Sequence, residues 1–241
     1  MSSSHIVKSF DEELKRLKSN VARMGGLAEA QIAGAIDAIV KRDTDLAARI
    51  VESDQKVDDL EREIDDHVVN MLALRQPMAS DLRFIISALR ISGAVERIAD
   101  YATNVAKRTV ALSQVAPVRP QHAVPRMGAV VREMVKDVLD AYVNQDVDKA
   151  IAVWKRDEEL DEMYSSLFRE LLTYMMEDPR NITACTHLLF IAKNLERIGD
   201  HATNIAETVH YLVRGTPIRG VRPKSDATSF AVVKPGKSDG A

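Results

Sequence analysis

The sequence contains a near-copy of itself. Glu96 to Ala106 reads ERIADYATNVA and Glu196 to Ala206 reads ERIGDHATNIA, identical at eight of eleven positions and offset by 100 residues. A long period carrying a charged motif indicates duplication of a whole supersecondary unit. The segment ahead of each motif aligns too, Asp54, Val57, Asp58 and Leu60 matching Asp157, Leu160, Asp161 and Met163 after a three-residue shift in the connection. Whatever the fold is, the 241-residue chain must build it twice.

The periodicity around the motifs is helical. Ala88, Ile91, Val95, Ile98, Ala102, Val105, Thr109 and Leu112 recur at alternating spacings of three and four, and Leu188, Ile191, Leu195, Ile198, Ala202, Ile205, Val209 and Leu212 repeat the pattern. Such a stripe is the buried seam of a helical bundle. Only 10 Gly, 8 Pro and 5% aromatic residues, against 46% hydrophobic and 29% charged, point the same way, to long amphipathic helices with an aliphatic core. Helices are expected at about 6–42, 45–74, 79–113, 123–144, 146–177 and 180–213, with Asp43, Asp45, Ser80, Asp146 and Asp178 as caps or first-turn acids and Pro179 at a first helical position. The expected fold is all-α, two tandem antiparallel three-helix bundles: residues 1–115, a Pro/Arg-bearing linker at 116–125, then 126–214. The Gly/Pro/Lys/Ser segment 215–241 carries no periodicity and is expected to be a disordered tail without a partner of its own.

Composition excludes several function classes. A formal charge of −3, from 33 basic and 36 acidic residues, provides no global field for nucleic acid or anionic lipid. The single Cys185 rules out an internal disulfide framework, and the start Met1-Ser2-Ser3-Ser4-His5 lacks the pattern of a secretory signal. The most apolar stretch, Leu82 to Val95, is interrupted by Arg83 and Arg90, so a cytoplasmic protein that meets a membrane only through partners is expected.

The chemistry lies off the seam. Glu96, Asp100 and Asn104 rise in one row at i, i+4, i+8, as do Glu196, Asp200 and Asn204, on what is expected to be an outward face. Asp58 and Glu96, and Asp54 and Asp100, are equidistant from Pro77; Asp161 and Glu196, and Asp157 and Asp200, are centred between Asp178 and Pro179. In antiparallel hairpins these pairs stand level, so each half is expected to present a surface cluster of four carboxylates. Like charges at i, i+4 each cost about 0.2–0.5 kcal/mol, so the clusters call for a cation. One candidate is a hard metal ion, iron, manganese or magnesium rather than zinc, on an all-oxygen donor set. The other is pairing with Arg97, Arg197 or basic residues of the first and fourth helices. His201, where the first copy has Tyr101, and Asn104 and Asn204 are auxiliary candidates. His67 and its counterpart Glu170 read as seam residues rather than ligands.

These motifs, with the hairpin Leu74-Arg75-Gln76-Pro77-Met78-Ala79-Ser80-Asp81-Leu82-Arg83, resemble the PhoU family of phosphate-uptake regulators from about residue 6 to 214. The resemblance implies a cytoplasmic, non-enzymatic negative regulator of phosphate uptake and phosphate-starvation signalling. It would link a phosphate ABC transporter's ATPase subunit to a sensor histidine kinase, often as a homodimer. It also implies metal ions, multinuclear clusters among them, on the E(D)xxxD motifs, here Asp54, Asp58, Glu96, Asp100, Asp157, Asp161, Glu196 and Asp200. Two alternatives come from the residues themselves. Glu207-x-x-His210 has the spacing of ferritin-like di-metal oxidases or storage proteins, although Lys107 and Val110 occupy those positions in the first copy. A metal-free helical scaffold would pair its acids with arginines.

Overall fold

Helix boundaries follow the capping chemistry. In the computed structural model, which describes residues 2–220, Arg222 and Thr228, with side chains from Phe10 onward, Asp43 accepts a hydrogen bond from the Leu46 amide at 2.8 Å and Asp146 one from the Lys149 amide at 3.0 Å. These N-caps open α2 (Thr44–Ser53) and α6 (Val147–Lys155), satisfying amides that have no partner inside their helix. The other helices are α1 (Ser2–Lys41), α3 (Gln55–Arg75), α4 (Ala79–Ser113), α5 (Ala123–Asn144), α7 (Asp157–Glu177) and α8 (Ile182–Arg214). Short 3-10 turns at Arg119–His122 and Pro179–Asn181 precede α5 and α8, and the described residues contain no strand.

The fold is the all-α, duplicated arrangement expected, with one difference repeated in both halves. The single helices expected at 45–74 and 146–177 are each broken, at Asp54 and at Arg156. At the first break Ser53 Oγ donates back to the Ile50 carbonyl at 2.7 Å, and the Asp54 and Val57 amides bond three residues back instead of four. This tightening bends the chain without interrupting its apolar periodicity. Asp54 and Asp157 thereby come to stand at the start of α3 and α7, where the helix dipole favours a carboxylate.

Every seam residue read from the sequence is buried, and the core is continuous across both repeats. The reason is the antiparallel pairing of α4 with α8, the most extensive helix contact in the molecule. Arg108 near the end of α4 lies 3.3 Å from His187 near the start of α8, and Arg83 near the start of α4 lies against Gly215 at the end of α8. Between them Tyr101 and His201, equivalent positions of the two repeats, face each other with ring centroids 5.7 Å apart, where an approximate twofold axis passes. A second stripe on each helix is buried as well: Ser92, Ala99, Thr103 and Ala106 on α4, and Ala192, Gly199, Thr203 and Ala206 on α8, where Gly199 meets Leu160 of α7 in its own repeat.

The repeats differ at one close approach. A Cβ at Gly199 would collide with Leu160 Cδ2 of α7, which is fully buried, whereas the first repeat accommodates Ala99. Gly199→Ala is expected to destabilise the protein by about 1–3 kcal/mol through overpacking, measured by urea denaturation. Ala99→Gly should cost only about 0.5–1 kcal/mol, the propensity difference.

Candidate functional site: two unequal acidic clusters

Asp54 lies within electrostatic reach of Asp100, Asp157 of Asp200, and Glu196 of Asp161. In the first repeat, burial raises the Asp54 carboxyl above its usual range, and the charges of Asp58 and Asp100 raise it further, while the Gln31 amide donates to it at 3.3 Å. Glu96 is pushed up to about 7, first by burial and then by Asp100 across one turn, against the opposing pull of Arg97. Arg97 is the cation closest to this row, 3.4 Å from both Glu96 and Asp100, and its side chain is 59% exposed, so it offsets little of the repulsion. Glu61 joins the cluster, its carboxyl raised by burial and by the charges of Asp65 and Asp58.

In the second repeat three of the same four positions are buried, and Asp200 is partly exposed. Asp157, Asp161 and Glu196 are 1%, 1% and 3% exposed, which corrects the expectation of outward, solvated sites. The physical cause is the second buried stripe together with the α7–α8 approach at Gly199. Burial raises the Asp157 and Glu196 carboxyls, and cations oppose the shift in each case. Lys193 Nζ sits 2.9 Å from Glu196 Oε1, leaving Oε2 buried without a hydrogen-bond partner. Arg222 donates to both Asp157 oxygens at 2.8 and 2.9 Å and to Asp200 at 2.6 Å. A tail expected to be disordered therefore reaches the site at one residue; the expectation for most of 223–241 lies outside the described residues.

The two clusters differ in charge because of one pair of positions. Glu61 aligns with Tyr164, and Gly93 with Lys193. Glu61 Oε1 stands 3.7 Å from where a Cβ would lie at Gly93, whereas Lys193 Nζ stands 4.9 Å from the Tyr164 ring. The first cluster has thus gained an acid where the second has gained a base.

The auxiliary candidates separate. Asn104 and Asn204 are exposed. His201 lies against Tyr101 with its ring tilted, and burial lowers its imidazole below the usual range. His67 is half-buried, not on the core seam, and burial lowers it likewise. Glu207 accepts from the Trp154 indole at 3.0 Å while His210 Nδ1 lies 2.9 Å from the Thr216 carbonyl, so the ExxH pair does not converge on a common ligand position. Among the described residues no three acidic, His or Cys side chains close on a single point as metal ligands. None of the described helices is long and apolar enough to cross a membrane.

The PhoU domain model matches residues 21–109 and 124–209, one copy per repeat. This chain belongs to the PhoU family. It is 53% identical over 226 residues to the phosphate-specific transport system accessory protein PhoU homolog of Caulobacter vibrioides (strain NA1000 / CB15N), covering 93% of this chain and 98% of that one. The homolog of the same name from Rhizobium meliloti (strain 1021) is 49% identical over 230 residues, covering 95% and 97%. Among solved structures, PhoU from Pseudomonas aeruginosa superposes with a TM-score of 0.83 at 44% identity, over 86% of this chain and all of that one. The phosphate transport system regulatory protein PhoU from Streptococcus pneumoniae gives 0.80 at 30% identity, over 87% and 99%.

For this PhoU-family chain the unequal clusters have a pH signature. Glu96 carries a folded value of about 7 against 4.5 for the ordinary carboxyl, so its contribution to stability is fully present below pH 4.5 and is lost as pH rises through about 7. In chelator-treated protein, Glu96→Gln should therefore stabilise relative to wild type above pH about 7, the difference vanishing below pH 4.5, as measured by denaturation at a series of pH values.

Proposed function

We propose that this PhoU-family chain is a negative regulator of phosphate uptake and of the phosphate-starvation response. In this reading it is a cytoplasmic, dimeric adaptor between the ATPase subunit of a phosphate ABC transporter and a membrane sensor histidine kinase, reaching the membrane through them. Its relatives' names support the transport connection: an accessory protein of the phosphate-specific transport system in Caulobacter vibrioides, a regulatory protein of the phosphate transport system in Streptococcus pneumoniae. The observation that favours regulation over catalysis is the placement of two acidic clusters on one shared helix pair, either side of the Tyr101–His201 contact. A ligand bound at either cluster acts on α4 and α8 together, which suits a two-state element read by partner proteins.

The ligand proposed for these clusters is a hard metal ion, iron, manganese or magnesium. The first cluster fits such an ion by its chemistry. Asp54, Asp58, Glu96 and Asp100 supply only oxygen donors, Glu61 adds another, and Arg97 compensates them poorly. The second set, Asp157, Asp161, Glu196 and Asp200, has the same donor type but already holds basic side chains. A bound cation would lower the mutual repulsion of each row and draw α3 to α4, or α7 to α8.

Deletion of the gene should leave phosphate-starvation genes expressed at high phosphate; regulation unchanged by deletion would count against the adaptor. Pull-downs at high and low phosphate should recover the ATPase subunit and the kinase. Changes outside the ligand set already cost about 10–100-fold in metal affinity, so Asp100→Ala combined with Asp200→Ala should reduce bound metal by at least that much, read by elemental analysis. Unchanged metal content would favour the metal-free scaffold.

A further inference from the structure

The second acidic cluster is held closed by a cation that the chain brings from its own tail. After α8 the backbone turns at Gly215, whose φ of 72° is left-handed and where a Cβ would collide with the Arg83 guanidinium. The turn sends the chain back along α8. His210 Nδ1 lies 2.9 Å from the Thr216 carbonyl, and Ile218 packs against the core. Pro217 and Ile218 close one side of a cavity of about 790 Å³ between α4 and α8, bordered by Arg90, His201 and Asn204. The lengths match: Asp200 to Gly215 rises about 22 Å as helix, and Gly215 to Arg222 spans up to about 23 Å extended. Arg222 thus arrives level with Asp200, bonded to Asp200 and bidentate to Asp157, with its own side chain only 17% exposed.

Among the described residues, no guanidinium from a returning segment lies at the first cluster. The chain after α4 is drawn elsewhere, since Arg42 donates to the carbonyls of Leu112 and Val115 and so pins that exit to the α1–α2 corner. The first cluster has Glu61 and Gly93 where the second has Tyr164 and Lys193. A bidentate guanidinium on a buried carboxylate is a strong, directional pair, and removing it would leave Asp157 buried without that compensation.

We infer that the second acidic cluster is a guanidinium site occupied by Arg222, and that the tail and a metal ion exclude one another there. The two motifs are therefore unequal: the first is open to metal, and the second binds metal only when residues 215–222 detach. This rests on the metal reading of the clusters, and the two parts are separable by experiment. In metal-free full-length protein, trypsin can cut after Arg219, while Pro223 disfavours cleavage after Arg222. If the latch is closed more than nine-tenths of the time, Arg222→Ala should speed cleavage after Arg219 by about tenfold or more, as should saturation of wild type with Mn²⁺. Asp157→Asn, checked for intact helicity, should act in the same direction. Cleavage unaffected by both substitutions would overturn the assignment of Arg222. Titration calorimetry with Mn²⁺ is then done in an Asp54→Asn, Asp100→Asn background, which leaves only the second cluster. There Arg222→Ala should tighten binding by about tenfold or more. Equal Mn²⁺ affinity with and without Arg222 would overturn the exclusion. Absence of Mn²⁺ binding in both would overturn the metal reading of this cluster, while faster cleavage still upheld the guanidinium site.

Discussion

Carboxylates withdrawn from water in facing pairs set the terms for the rest of this molecule. Desolvating a charge costs several kcal/mol even after the protein relaxes, and a second like charge one helical turn away adds to the cost. Three remedies exist: a proton, a cation from the chain, or an ion from solution. The first cluster favours the proton, with Glu96 raised to about 7 by burial and by Asp100. The second shows the internal cation, with Lys193 on Glu196 and Arg222 on Asp157 and Asp200. One electrostatic demand, duplicated with the sequence, is thus met in two ways.

What fixes the clusters in place is aliphatic. The seams of α4 and α8 are buried throughout, and their mutual packing turns each helix into a wall shared by both repeats. The acidic partners come from α3 and α7, whose first turns begin at the kinks beside Asp54 and Asp157. Those kinks aim the first carboxylate of each row and place it in the favourable field of a helix start. At Gly199 the missing Cβ leaves room for Leu160 of α7 directly on α8, and three of the four carboxylates of the motif are buried in that repeat. Depth then decides what the cluster can tolerate: a partly exposed row survives with water and Arg97, whereas a cluster with three of its four carboxylates 1–3% exposed requires cations fixed in the fold.

The parts legible in the sequence were those governed by period and local chemistry. The three-four seam, the Asp43 and Asp146 caps and the level pairing of Asp54 and Asp58 with the α4 acids all follow from helical geometry alone. The kinks did not show because tightening one turn leaves the apolar period intact, and Ser53 looks like any helix-end serine. Burial of the second cluster did not show because a single stripe is visible in a pattern, while the second buried stripe consists of residues as unassertive as Ala, Gly and Thr, with Gly199 meeting Leu160 of its own repeat. Glu61 was within reach, one turn beyond Asp58, but comparison of the repeats hid it, since its counterpart is Tyr164. Arg222 could not have been found: its segment has no period, and its partners Asp157 and Asp200 lie 65 and 22 residues back.

Apart from the kinks, which both repeats share, those blind spots coincide with the places where the copies have diverged, and the coincidence has a physical basis. A motif kept in both repeats records what each three-helix unit needs in order to pair its hairpin. Differences at Glu61 and Tyr164, Gly93 and Lys193, and Ala99 and Gly199 change charge and depth around the motif's carboxylates without replacing them. With the Tyr101–His201 contact on the axis, a change of occupancy on one side meets a different electrostatic balance on the other. A symmetric pair would answer a cation twice at the same concentration. Under the proposed metal reading, an unequal pair joined through α4 and α8 answers in sequence, and the order is set by which cluster already carries its own positive charge.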